Sequence, residues 1–282
     1  MNGKSLFGEA RAEFHAALLK AALTSQGGVP ANADRASKQS VAIANGLIKR
    51  LGKELEAEKQ AGQTSGKQFE EACAAFISQT FLRLGHLRPG QWSVLRGTHA
   101  ISGFEQYLHL ASLQKIAETN NEVAVALGND YLIKPDIVIA RQPETDEAIN
   151  GPQLLVGKKE ARRSVLRAAN NEHPILHASV SCKWTIRSDR AQNARSEGLN
   201  LVKNRKGRLP HIVVITAEPV PGRLASIALG TGEIDCVYHF ALPELEETLA
   251  ELQYDDAKEM VSIMVQGKRL RDISDLPLDL AV

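Results

Sequence analysis

Two periods of apolar and polar positions organise this chain. Over Leu6 to Leu23, and again from Lys38 to about Lys59, apolar residues return every three to four positions, the period of a helix with one buried stripe. "GQTSG" at 62–66 closes the second of these helices and caps the next. In "QFEEACAAFISQTFLRL", Phe69, Cys73, Phe76 and Phe81 fall near one stripe, which predicts a helix over 67–84 ending at Gly85. From Trp92 the pattern is mixed: a short strand, a helix near 104–118, then the turn "LGNDYLIKP". After Pro135 the pattern becomes strand-like in "DIVIA" at 136, "LHASVSCKW" at 176, "HIVVITA" at 211 and "DCVYHFAL" at 235. A helix from about Asp189 to Asn204 separates the second of these strands from the third, a strand, helix, strand unit of α/β type. Residues 141–173 are polar and turn-rich and read as an insertion. With no internal repeat and no Pro/Gly/Ser-rich linker, the expectation is one α/β domain over 1–282: a helical part over about 1–90, then a mixed central β-sheet flanked by helices.

Three elements of this pattern carry more polarity than a core needs. Alternation along "HASVSCKW" puts His177, Ser179, Ser181 and Lys183 on one face and Ala178, Val180, Cys182 and Trp184 on the other. In the following helix, Ala191, Ala194, Gly198 and Leu201 form the stripe expected to lie on the sheet, and Glu197 projects along its edge toward the strand that carries Lys183. Asp136 opens a strand directly after Pro135 and can point past the sheet edge. Each has an ordinary alternative: a strand-ending lysine in solvent, a structural Glu–Lys pair, and a Pro-Asp turn. Such a buried pair is a poor source of net stability, which favours another reason for its presence.

Composition narrows the chemistry. At 43% hydrophobic residues the chain can fill a sizeable core. Runs such as Ile212 to Ile215 fall far short of the ~20 apolar residues of a membrane span, and the N-terminal stretch lacks a signal-peptide core, so a cytoplasmic protein without a membrane partner is expected. Cys73, Cys182 and Cys236 are odd in number and form no Cys-x-x-Cys pair, against a disulfide framework or a zinc knuckle. Net charge is +1, but between Lys183 and Arg208 eight basic residues stand against Asp189 and Glu197, a local net of +6, and "GKKEARRSVLR" at 157–167 adds a second basic run. An isolated run of this kind is ordinarily a solvated helix face, but here the positive charge is segregated, as suits a polyanion. No His-Glu-x-x-His, Gly-rich phosphate loop or Gly-x-Ser-x-Gly elbow occurs.

Two carboxylates and a lysine converging at sheet edges are what metal-dependent phosphodiester hydrolysis requires. Oxygen ligands hold Mg2+, the metal acidifies a bound water and neutralises the phosphate, and the lysine orients the nucleophile or stabilises the developing charge. The spacing is Pro135-Asp136, 46 residues, Lys183, 13 residues, Glu197. With "SCKWTIRSDRAQNARSEGLNLV", "NRKGRLPHIVV", "ALGTGEIDCVYHFAL", "ISDLPLDLAV", "NAD" at 32–34 and "GQTSG", the chain resembles type II restriction endonucleases of the CCGG-recognising PD-(D/E)xK group. The general nuclease pattern has an acid two residues before the lysine, where this chain has Ser181. In the CCGG branch that acid comes from the following helix, the position that Glu197 fills.

The resemblance implies a restriction-endonuclease-like fold and a Mg2+-dependent enzyme that cuts both DNA strands at a G/C palindrome with a CCGG core, GCCGGC, by attack of a metal-activated water. It implies two Mg2+ per site, held by Asp136, Glu197 and the Cys182 backbone carbonyl, with Lys183, Ser181 and Glu70 completing the catalytic set. "RSDR" places Arg187, Asp189 and Arg190 beside the catalytic strand; an arginine can donate two bonds to guanine and an aspartate can accept from cytosine N4, as a G·C target requires. Arg190 and Glu197 are seven residues apart, two turns on nearly one face. By resemblance Asp34 and Arg223 read the outer base pair and Gln63 approaches from the minor groove. The implied partners are double-stranded DNA, a second copy of the chain in a dimer, a tetramer holding two sites, and a cognate methyltransferase in the host. Two other readings stay open: a structure-specific repair nuclease of the same fold, and a DNA-binding protein that does not cleave.

Overall fold

Six strands form the central sheet in the order β3-β4-β5-β6-β7-β8: β3 (Trp92–Arg96), β4 (Ile137–Arg141), β5 (Ile175–Lys183), β6 (His211–Thr216), β7 (Cys236–His239) and β8 (Leu270–Asp272). β3, β4 and β5 pair antiparallel, and β5 through β8 run parallel, so the sheet is mixed. The computed structural model describes residues 5–52, 62–97, 99–128, 133–230 and 232–282, without the side chains of Gln63, Thr64, Leu127, Ser188 and Arg190. A two-stranded hairpin, β1 (Ser25–Gln26) and β2 (Val29–Pro30), follows the first helix.

The helices are α1 (Leu6–Ala21), α2 (Lys38–Arg50), α3 (Gly62–Phe81), α4 (Leu108–Thr119), α5 (Asn121–Leu127), α6 (Asp146–Asn150), α7 (Ser188–Asn204), α8 (Pro221–Ala228), α9 (Leu242–Glu251), α10 (Asp255–Gln266) and α11 (Leu276–Asp279). Local chemistry sets several ends: Ser5 and Ser37 accept from the backbone N–H three residues on and cap α1 and α2. The helix expected to run to about Lys59 stops at Arg50, where Gly52 takes a φ of +89° that ends it; residues 53–61 lie outside those described. None of the described helices is long and apolar enough to cross a membrane.

Apolar residues are buried on both faces of the sheet. The larger cluster joins Ile137, Ile139, Val180 and Ile215 to Phe14, Phe69 and Phe76 of α1 and α3 and to Leu245 and Val261 of α9 and α10. The smaller cluster joins Val138, Ala140 and Ile212 to Tyr107, Leu110 and, from α7, Leu201. The polar face expected for β5 is therefore covered: Ser179 and Ser181 are buried, and only the two ends of the strand are partly exposed. The alternation also breaks at His177. The β4–β5 register shifts between Ile139 and Ala140, which pair with Ala178 and Leu176, so His177 is the extra residue of a bulge. It stacks on Phe81 and bonds the Leu280 carbonyl at 2.7 Å, away from Lys183.

Of the stretch 141–173, Arg141 ends β4, and the rest holds only the short α6 and one bridge, Glu144 to Arg167. Arg167 bonds both oxygens of Asp146 at 2.5 and 2.6 Å and the carbonyls of Gly157 and Glu160, so this member of the second basic run holds the insertion together internally.

Candidate functional site

The crossover from β5 through α7 to β6 builds the site at the carboxyl end of the parallel strands, where open α/β sheets collect their functional groups. Asp136, just before β4, accepts the Cys182 backbone N–H at 2.7 Å through Oδ2, and the same oxygen lies 3.5 Å from Lys183 Nζ at the end of β5. The bond spans two antiparallel neighbours and fixes the carboxylate at the strand end. The rings of Trp184 and of Phe69 on α3 meet edge to face with centroids 5.4 Å apart, which seats the end of β5 beside the helix that carries Glu70.

Glu197 on α7 completes the cluster. Its carboxyl is pushed up by burial and by Asp136, against the pull of Lys183. Glu70 is pushed up by burial and by Asp136, with Arg96 and Lys183 opposing. Arg96 in turn pairs with Glu71 at 3.0 Å. Four acids thus surround two cations, Lys183 and Arg96, and the excess negative charge suits a bound cation.

The polar atoms left over point the same way. Glu197 Oε1 and Ser181 Oγ are both buried with no hydrogen-bond partner. A buried carboxylate oxygen without a donor is costly unless a ligand meets it. No three carboxylate, imidazole or thiol groups among the described residues converge closely enough to hold a metal by themselves. The donors expected for a metal are Asp136, Glu197 and the backbone carbonyl of Cys182, of which the two carboxylates gather around Lys183. Such a sparse oxygen set fits Mg2+, which keeps several waters and is held by one or two carboxylates together with substrate phosphate.

α7 reaches Glu197 by unusually close contact. A Cβ on Gly198 would lie 2.4 Å from the Glu233 carbonyl oxygen, so only glycine allows the helix to seat this near the loop before β7. Ala191, Ala194 and Leu201 are buried along the same helix. Its N-cap is built against helical preference: Arg187 occupies it, makes no side-chain cap bond and is exposed. An N-cap Ser or Asp would stabilise the helix by ~1 kcal/mol more, and a cation there opposes the helix dipole. Asp189 is also exposed. Both side chains are free to meet a ligand.

Arg187 lines an open cleft of about 720 Å³ together with Asp34 and Arg223. Asp34 and Arg223, 189 residues apart in sequence, are hydrogen-bonded to each other, and the guanidinium holds the Asp34 carboxyl below its ordinary range. Asn32 anchors the Asp34 segment by donating to the Ala217 carbonyl at 2.9 Å. The structure thus brings Asp136, Lys183, Glu197 and Glu70 together in one place and Arg187, Asp34 and Arg223 in another. The side chains of Arg190 and Gln63 lie outside those described.

Two residues near the cleft escaped the sequence reading. Arg195 donates to the Ser226 and Ile227 carbonyls at 3.2 and 3.4 Å, and so holds the last turn of α8 against α7. Glu218, fully buried, accepts the Ile186 N–H at 2.8 Å and the Val220 N–H at 3.1 Å. The signal for Glu218 was present in "ITAEPVPGR": an acid directly after an apolar strand at its carboxyl end.

Comparison with known proteins gives a consistent answer. A family model described as NgoMIV restriction enzyme matches residues 14–282. The type II restriction enzyme NgoMIV of Neisseria gonorrhoeae is 56% identical over 283 residues, an alignment covering 98% of this chain and 99% of that protein.

Proposed function

This chain belongs to the NgoMIV restriction enzyme family and is a site-specific endonuclease; from that premise we propose that it makes Mg2+-dependent double-strand cuts in DNA at GCCGGC, a palindrome with a CCGG core, beside a cognate methyltransferase that protects the host. The observation that carries this reading is the meeting of Asp136 and Lys183 at 3.5 Å beside Glu197, whose buried Oε1 has no partner. Asp136, Glu197 and the Cys182 carbonyl would hold the metal, two ions per site. Bound there, Mg2+ supplies neutralisation of the scissile phosphate and a water acidic enough to act as nucleophile. The protein holds the Asp136 carboxylate in place through the Cys182 N–H. Lys183 sets its ammonium beside the reacting phosphate, where it aligns the water and offsets developing charge. Ser181 Oγ, unpaired at the same end of β5, is free to bond a water of the site.

Digestion of a sequenced plasmid with Mg2+, followed by end-mapping, tests the reading. A ladder of fragments with ends at GCCGGC is expected. General nicking would identify a structure-specific nuclease of the same fold, and an intact plasmid with a shifted GCCGGC duplex a non-cleaving binding protein.

In this reading Arg187, Asp189 and Arg190 read the inner base pairs, Asp34 and Arg223 the outer pair, and Gln63 approaches from the minor groove. Arg187→Ala should then cost about 1–3 kcal/mol of discrimination, the value of a bidentate guanine contact. Competition binding is expected to show a large loss on the cognate duplex and a small one on random DNA; equal losses would mean that Arg187 contacts phosphate alone.

A palindrome asks for a two-fold dimer, with each subunit presenting one catalytic cluster and one set of readers. We extend this to two dimers back to back, a tetramer that holds two DNA sites. It should cut a two-site plasmid faster than a one-site plasmid at low enzyme concentration, because the second site on the same molecule is present at high effective concentration. Equal rates, with a dimer mass by light scattering, would refute the two-site arrangement.

A further inference from the structure

Glu218 has 0% exposure in the segment between β6 and α8, outside the catalytic cluster. Its carboxylate joins two pieces of backbone that lead to different readers. Ile186, whose N–H it accepts, precedes Arg187, and Val220, whose N–H it also accepts, caps the helix whose first turn holds Arg223. Arg223 Nη1 lies 3.9 Å from Glu218 Oε2, while Nη2 of the same guanidinium bonds Asp34. The neighbouring backbone anchors further segments. The Ala217 carbonyl accepts from Asn32, the Ala217 N–H donates to the Lys183 carbonyl at 3.3 Å, and the Glu218 carbonyl meets His239 Nε2 at 3.2 Å. The segments bearing Asp34, Lys183, Arg187 and Arg223 are thus all tied to residues 217 and 218.

Two backbone donors and a guanidinium need two acceptor oxygens with negative charge. A glutamine at this place offers one acceptor oxygen and no charge. We infer that Glu218 is a positioning residue for sequence discrimination: one carboxylate sets the spacing of Arg187 and Arg223 and gives Arg223 an acidic partner when Asp34 turns to DNA. This rests on the reading that Asp34 and Arg223 recognise the outer base pair.

Burial raises the Glu218 carboxyl to about 7, so it changes charge across neutral pH. The charged groups facing it are Arg223 from α8, which favours the ionised form, and Asp34 from the segment before α2, which opposes it. His239 from β7 is lowered to about 4 by burial and stays neutral through this range. Ionised Glu218 serves both N–H groups and the guanidinium. Once protonated, it loses the charge and part of its acceptor capacity.

The test is competition binding in Ca2+ of GCCGGC against ACCGGT, which differs only in the outer pair, from about pH 6 to about pH 8.5. Wild type should discriminate better as pH rises through about 7. Glu218→Gln should lose about tenfold or more of that ratio and its pH dependence while retaining a cooperative melt. Glu218→Asp keeps the charge on a shorter arm and should keep the pH dependence at a lower ratio. A wild-type ratio and pH profile in Glu218→Gln would overturn the inference. Should that variant fail to fold, a pH-independent ratio in wild type and Glu218→Asp would do so instead. Arg223→Ala separates the two layers: an intact ratio there removes the outer-pair reading and the inference with it, while loss there but not in Glu218→Gln removes the inference alone.

Discussion

Asp136→Ala should lower Mg2+-dependent cleavage of a GCCGGC plasmid by about three orders of magnitude, the scale of losing several kcal/mol of metal-supplied charge stabilisation, while cognate binding changes only a few fold. The expectation follows from where Asp136 stands. Its carboxylate shares the site with Lys183 and Glu197, away from the cleft lined by Arg187, Asp34 and Arg223, so in the proposed reading its loss removes a metal ligand and no base contact. The substitution also strips the Cys182 N–H of its acceptor, a structural cost of about 1–3 kcal/mol that must be separated from the chemistry. Asp136→Asn does so, because its amide oxygen can still accept that N–H. Both variants should fail to cleave, and only the alanine variant should melt at a lower temperature. Cleavage by Asp136→Asn within tenfold of wild type would show that the carboxylate is architectural.

Glu197→Gln should separate activity from stability in opposite directions. Cleavage is expected to fall by at least about a hundredfold, because a neutral amide is a poor ligand for a hard divalent cation. Stability should rise. Burial raises the folded-state pKa of Glu197 above its ordinary 4.5, so the folded protein holds this proton to higher pH than the unfolded chain does. The group's contribution to stability is therefore full below about 4.5 and lost as pH rises through the raised pKa, leaving the ionised carboxylate a net cost above it. Replacing it should raise Tm in metal-free buffer at about pH 8 and change it little at about pH 4.5. A lower Tm at the higher pH would mean that the pairing with Lys183 outweighs burial.

Much of the candidate site was legible because its residues belong to single regular elements. Lys183 ends a strand and Glu197 lies on the next helix; a period of two followed by a period near four suffices to bring them together. The strands of 92, 136, 176, 211 and 235 were visible for the same reason. β8 is three residues long and offers no periodicity to read. The place of His177 depends on a bulge, and a one-residue slip inverts a side chain's face without leaving a trace in the alternation. The bond between Asp34 and Arg223, and the two backbone groups gathered by Glu218, join distant segments; no spacing rule covers contacts that arise only when three loops meet at the end of a sheet.

The seat of Gly198 against the Glu233 carbonyl bears on how this enzyme can be reprogrammed. Asp189 and Arg190 ride on the same helix as Glu197, so in the proposed reading a substitution that tilts the helix to accept new inner bases also displaces the Glu197 carboxylate. Asp34 and Arg223 stand on segments that share no helix with it. Libraries randomised at 34 and 223 should therefore return active enzymes with altered preference at the ends of the site, while libraries at 187–190 should return mostly inactive ones. On the proposed reading, a change in the outer letters of the target leaves α7 and Glu197 where they stand, whereas a change in the inner ones moves both.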